Sequence, residues 1–175
     1  MKDIDQHGQI NDGYGKRFLL GPMYMLMDDL EGALQHFEWY EEQLGIEGEC
    51  FQLMCWTLAM LRSGNEDEAK DLLRKTMLTN LYQIPRLLGM PIIPHPIWHS
   101  SNKQELDHLE YVPSELYDLW TDDELKWAED MWESEGIKAI RDECIEIQRQ
   151  LIDLPPSPEK TAAVDRLSEL YDCPL

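Results

Sequence analysis

An all-α fold follows from three features of this 175-residue chain. Apolar residues recur every three to four positions, most plainly at Ile137, Ile140, Cys144, Ile147 and Leu151, which is the period of one helix face. Ala33 with Phe37, and Ala69 with Leu73, repeat a small–large pair 36 residues apart, close to the length of a two-helix repeat, about 34 residues. No run of alternating apolar and polar residues reads as a strand.

The elements follow in order. Residues 1–13 are polar and Gly-containing and form an N-terminal arm. A helix is expected from about 14 to 27, with Pro22 bending it or starting a new segment, because proline lacks an N–H and its ring crowds the preceding turn. Asp28 or Asp29 caps a helix over 29–44, which Gly45 stops. The third helix, over 48–62, is apolar all round, so more than one side of it must be covered. Gly64-Asn65 marks a turn, and Asn65 caps a helix to about 78 with Glu66, Asp67 and Glu68 in its first turn, where they complement the helix dipole. A short helix containing Pro85 spans 80–89. Three prolines make 89–102 an ordered apolar loop. Thr121 and Glu124 form a capping box for a helix to about 134, Gly136 breaks it, and amphipathic helices follow over 137–153 and 159–171.

Within this frame Leu20-Gly21, Tyr24, Ala33 and Phe37 match the tetratricopeptide pattern. Each residue has a packing role: Gly21 permits close helix approach, Tyr24 fills the space between helices, and Ala33 and Phe37 seat the second helix on the first. The second unit keeps Ala69 and Leu73 but has Trp56-Thr57 in place of Leu-Gly. Two units fall short of the three or so that a stacked array needs. The expected organisation is therefore about two tetratricopeptide-like helical hairpins over 14–88, closed by a Pro-rich loop and C-terminal helices over 89–175, in one domain.

Hydrophobic residues make up 43% of the chain, too many for a disordered protein despite a net charge of −20. Of the 35 acids, 20 fall in residues 103–175 beside only 7 of the 15 bases. Such a surface repels phosphate backbones and anionic membranes, which argues against nucleic-acid and membrane partners. It either serves solubility or attracts a basic protein. The N-terminus lacks the apolar core of a signal peptide, and a cytoplasmic location is expected. Cys50, Cys55, Cys144 and Cys173 are then reduced thiols, with Cys50 and Cys55 acting as small core residues.

The first helix of each unit lines the concave side of a helical repeat, which puts Phe18, Met25 and Leu26, then Met54, Leu58 and Leu61, on that side. Either the groove is open to a partner, or the chain fills it with its own Trp120, Trp127 and Trp132. His95 and His99, with His108 nearby, are ligand types in a Pro-rich loop that offers no further donor, so no metal is expected. Asp122, Asp123 and Glu124 read as helix caps. No nucleophile motif, phosphate loop or cofactor motif is present.

The segments Asn11-Asp12, Gly15-x-Arg17-Phe18-Leu19-Leu20, Asp29-x3-Ala33-Leu34, Glu68-Ala69 and Asn80 through Pro85-x-Leu87-Leu88-Gly89 add up to more than a generic repeat. Over about residues 10–120 the chain resembles the bacterial tetratricopeptide-like proteins related to the suppression-of-tumorigenicity family. It departs from them at Gly13-Tyr14, at Pro22, and by one extra residue between Asn80 and Pro85. The resemblance implies a helical scaffolding or interaction role and supplies no catalytic residues. The expectation is a non-enzymatic protein-interaction module using Arg17, Phe18, Met25, Met54, Leu58 and Arg62, without cofactor or metal. The alternatives are an acidic immunity- or antitoxin-like neutraliser of a basic protein, and an enzyme of unrecognised type.

Overall fold

The computed structural model describes residues 15–172, and the regular elements among them are all helical. The 1–13 arm, Asn11-Asp12 and Cys173 lie outside the described residues. The first hairpin is α1 (Lys16–Leu26) and α2 (Leu30–Leu44). Asp28 turns the chain between them at φ 57°, a left-handed conformation that Asp tolerates better than most residues. The Asp29 carboxylate then accepts the Gly32 N–H at 2.9 Å, capping α2. Gly21 is where the two helices meet. A Cβ there would lie 2.2 Å from the Phe37 ring, so only glycine permits this approach.

Of the two outcomes expected at Pro22, a bend or a new segment, the second does not occur. The helix runs through it as one element, with Pro22 itself buried. The local cost is one lost donor to the Phe18 carbonyl, and the burial of Gly21, Pro22 and Met25 against the second helix holds the segment in place.

The second hairpin is α3 (Cys50–Arg62) and α4 (Glu66–Thr79), joined through Gly64 at φ 84°. Ten of the 13 residues of α3 are buried, as its all-round apolar sequence requires. Trp56 stacks on Phe37 of α2 at 5.1 Å between ring centroids and meets Tyr40 edge-on at 6.4 Å, a contact worth about 0.5–1.5 kcal/mol beyond area burial. Asn65 does not cap α4 with its side chain. Its amide turns back to the Ser63 hydroxyl at 3.1 Å instead.

After the short α5 (Gln83–Leu87) the Pro-rich stretch is pinned near its middle. The His95 N–H donates to the Tyr82 hydroxyl at 3.0 Å, and the Trp98 N–H to the Gln148 carbonyl at 3.0 Å. Three 3-10 turns over Asn102–Gln104, Leu106–Tyr111 and Ser114–Leu116 lead to α6 (Asp122–Trp132), α7 (Glu135–Asp153) and α8 (Pro158–Asp172). The Thr121–Glu124 capping box opens α6. The break between α6 and α7 comes from Ser134, whose hydroxyl accepts the Ile137 N–H, and not from Gly136, which sits inside the first turn of α7.

The C-terminal helices close onto α4 through Arg74, whose side chain is fully buried. Its Nε and Nη2 donate to Asp71 Oδ1 at 3.1 and 2.6 Å. Its other N–H groups reach the carbonyls of Leu170 and, at 2.9 Å, Tyr171. The cation thus satisfies the last turn of α8 and lies at the negative end of its dipole. Tyr171 donates in turn to the Ile46 carbonyl at 2.9 Å.

Two glycines should respond oppositely to the same methyl group. Gly21→Ala forces its Cβ into Phe37 and should cost about 1–3 kcal/mol. Gly136→Ala meets nothing within 4 Å and should gain about 0.5–1 kcal/mol. Urea unfolding of the two variants checks both signs.

Candidate functional site

The concave side expected from the repeat pattern is filled by the chain itself. Met25, Met54 and Leu58 are buried, the last two completely, so none of them is offered to a partner. Leu26 is no part of this side: it is 41% exposed. The filler is the run of 3-10 turns and its continuation, which contribute the buried Leu109, Val112, Leu116 and Trp120.

Polar contacts hold that segment down. Glu49 takes the His108 ring at 3.0 Å and Lys103 at 2.8 Å. The Asn80 side-chain amide donates to the carbonyls of Lys103 and Glu105 at 2.8 and 3.0 Å. The buried Gln83 donates to the Tyr117 hydroxyl at 3.2 Å and to the Met54 sulfur at 2.9 Å. Of the three tryptophans expected in the groove only Trp120 belongs to the filler. Trp132 lies in a recess with Leu81, Pro85 and Ile145, under the Arg141 guanidinium at 4.1 Å. Trp127 reaches Glu66 at the start of α4, at 3.5 Å.

Arg62 is likewise a tie between segments. It grips Glu124 with Nε at 2.8 Å and Nη2 at 3.1 Å, and donates to the Leu119 carbonyl at 2.7 Å. Burial pushes the Glu124 carboxyl up, but the bonds from Arg62 and Thr121 outweigh it and hold the group below its ordinary value.

Arg17 and Phe18 come together in a cleft of about 490 Å³ between α1, the end of α2 and the last turn of α8. The Phe18 ring carries Arg17 at 4.8 Å and Lys103 at 5.0 Å, cation–π contacts between two of the chain's few bases. Tyr40, Ser101, Ser168 and Tyr171 complete the lining. No nucleophile paired with a base is found among these residues.

The histidines go to separate places. His95 stacks on Tyr82 at 6.1 Å, while His108 is held by Glu49. No cluster of three or more metal-ligating side chains occurs among the described residues. Burial pushes the Cys50 thiol up to about 12 and raises Cys55 further, so both are inert core residues.

Five of the nine large apolar residues exposed among the described residues lie in or just after α1. Leu19, Leu20, Met23, Leu26 and Met27 are 39–66% exposed, opposite the buried Gly21, Pro22 and Met25. The sequence reading put Phe18, Met25 and Leu26 on the concave side and assigned no outer face to α1. The signal for the second face was present in the uncharged run from Phe18 to Met27, which holds more large apolar residues than one buried helix stripe can use. No helix of the described residues is long and apolar enough to cross a membrane. No family model, curated protein or solved structure matches the chain.

Two outcomes follow. Met54→Glu with Leu58→Glu places two charges in a covered core and should abolish the cooperative thermal transition seen by circular dichroism, since an uncompensated buried charge costs several kcal/mol. His36 is buried among Phe37, Trp39 and Tyr40, and that burial lowers its pKa from 6.5 despite the bond to the Arg17 carbonyl. The unfolded chain binds the proton more readily, so stability is full above about pH 6.5 and falls as pH drops toward the folded value. Unfolding by urea at several pH values should show this slope, and His36→Asn should flatten it.

Proposed function

We propose that this chain is a non-enzymatic protein-interaction module, built on tetratricopeptide-like helical hairpins and binding through the outer flank of α1 and not through the concave side. The exposed stripe of Leu19, Leu20, Met23, Leu26 and Met27 carries this reading. A contiguous apolar patch of this kind marks an interaction site on a protein that has otherwise completed its core. The repeat frame is supported by the contacts at its signature positions: Gly21 against Phe37, Phe37 against Trp56, and the fully buried Ala33 and Ala69.

A second reading, neutralisation of a basic protein, is favoured by the charge pattern of residues 103–175. Lys103, Lys126, Lys138 and Arg166 are each engaged with an acid already, which leaves a large surplus of carboxylates. The two readings respond differently to salt, because exposed charges are screened beyond about 8–10 Å at 0.1–0.15 M.

Tagged protein and a Leu20→Glu variant, matched by their thermal melts, test both readings in one capture experiment. The interaction reading expects bound protein that resists high salt and falls at least about tenfold with Leu20→Glu, roughly the loss of one buried anchor. Bound protein that survives Leu20→Glu but is shed by salt favours the acidic reading, and a partner indifferent to both contradicts each.

A further inference from the structure

Resting on the interaction reading, we infer that the partner of the α1 flank is a second copy of the same chain, paired antiparallel about a two-fold axis at Met23. An isologous interface must be complementary to itself. The exposed stripe meets that condition in sequence: Leu19, Leu20, Met23, Leu26 and Met27 stand at −4, −3, 0, +3 and +4 from Met23. At about 100° per residue they form a band roughly 120° wide centred on Met23, the width of a packed helix face. Rotation about an axis at Met23 reverses position along the helix but keeps each side chain on its own side of the band, which sets Leu19 against Leu26 and Leu20 against Met27 of the other copy, so the apolar side chains of this band face apolar side chains.

The charges agree with the same axis. The ten residues from Phe18 to Met27 carry none. Exposed Lys16 sits at the N-terminal end, in the sector of the stripe, and exposed Asp28 follows its C-terminal end. Antiparallel pairing brings Lys16 of each copy toward Asp28 of the other, whereas parallel pairing sets like against like. This complementarity is selective in a chain of net charge −20, because two such copies repel wherever acidic surfaces meet.

The area is adequate. The stripe exposes on the order of 500 Å² per copy, at the upper end for a monomer surface. Tyr111, 81% exposed and adjoining Leu19 in a recess with Phe51 and Val112, extends it toward the roughly 800 Å² per partner of a standard interface.

Sedimentation velocity on the full chain over about 1–100 µM should show a reversible dimer, as expected for micromolar affinity. Met23→Glu places two carboxylates at the axis and should weaken dimerisation at least about 100-fold. Lys16→Glu alone and Asp28→Lys alone should each weaken it, and an equimolar mixture of the two should regain dimer, because only the mixed antiparallel pair restores both ion contacts. Thermal melts of each variant separate loss of pairing from loss of fold. A wild-type chain that stays monomeric throughout overturns the proposal, as does a dimer that survives Met23→Glu or a mixture that fails to recover. A monomer that still loses a captured foreign protein with Leu20→Glu leaves the broader interaction reading standing and removes the second copy.

Discussion

Helix α3 is apolar on every side, and the rest of the molecule is arranged to cover it. One helix cannot bury its whole circumference against a single neighbour. Phe37 and Tyr40 of α2 take one side by packing on Trp56, and α4 takes another with Ala69, Leu72 and Leu73. Met54 and Leu58 would face water if the chain ended with the second hairpin. Residues 106–120 run from the start of α3, where His108 meets Glu49, to its end, where Arg62 donates to the Leu119 carbonyl, and the extended and 3-10 backbone of this segment suits the task. Without a regular face of its own, it can place Leu109, Val112, Leu116 and Trp120 wherever the surface of α3 needs them, while Asn80, Gln83 and Glu49 bind its polar groups.

The same constraint closes the expected groove. With Met25, Met54 and Leu58 buried, no groove is left on that side, while Leu19, Leu20, Met23, Leu26 and Met27 stay exposed in and just after α1. Closure also relies on Arg74, which joins α4 to the last turn of α8 while Asp71 compensates its charge. Removing Asp71 would strand the buried guanidinium, a change that typically costs about 3–5 kcal/mol, whereas Asp71 without Arg74 would keep Lys75 at 2.7 Å. Many of the surplus acids sit away from this assembly, on the exposed faces of α6 and α7.

Much of this was legible in the chain. The helices have strong periodicity or unambiguous caps, and Asp29, Gly45, Gly64 and Thr121 act where local chemistry alone puts them. What was not legible depended on tertiary context. Pro22 continues α1 because burial of its neighbours offsets a single lost hydrogen bond. Ser134 outranks Gly136 as the breakpoint because a capping hydroxyl is specific, whereas glycine in a first turn is merely tolerated. Residues 102–120 have no helical or strand period, so nothing local announced that they would fill the groove. The expected contact residues show this best: Met25, Met54 and Leu58 are buried, and the buried Leu109, Val112, Leu116 and Trp120 come from some 50 to 95 residues further along the chain.

The covering of α3 by residues 106–120 is the claim on which the others stand, and native-state hydrogen exchange across a series of urea concentrations tests it most directly. The N–H groups of Val112, Leu116 and Trp120 are bonded within their own turns, and short turns of this kind protect poorly unless packing holds them shut. The account predicts that these amides exchange with the same free energy and urea dependence as those in the middle of α3, because the two open only together. Fast, urea-independent exchange in 106–120 beside a protected α3 would contradict it, and would mean that the groove opens while the hairpins stay folded.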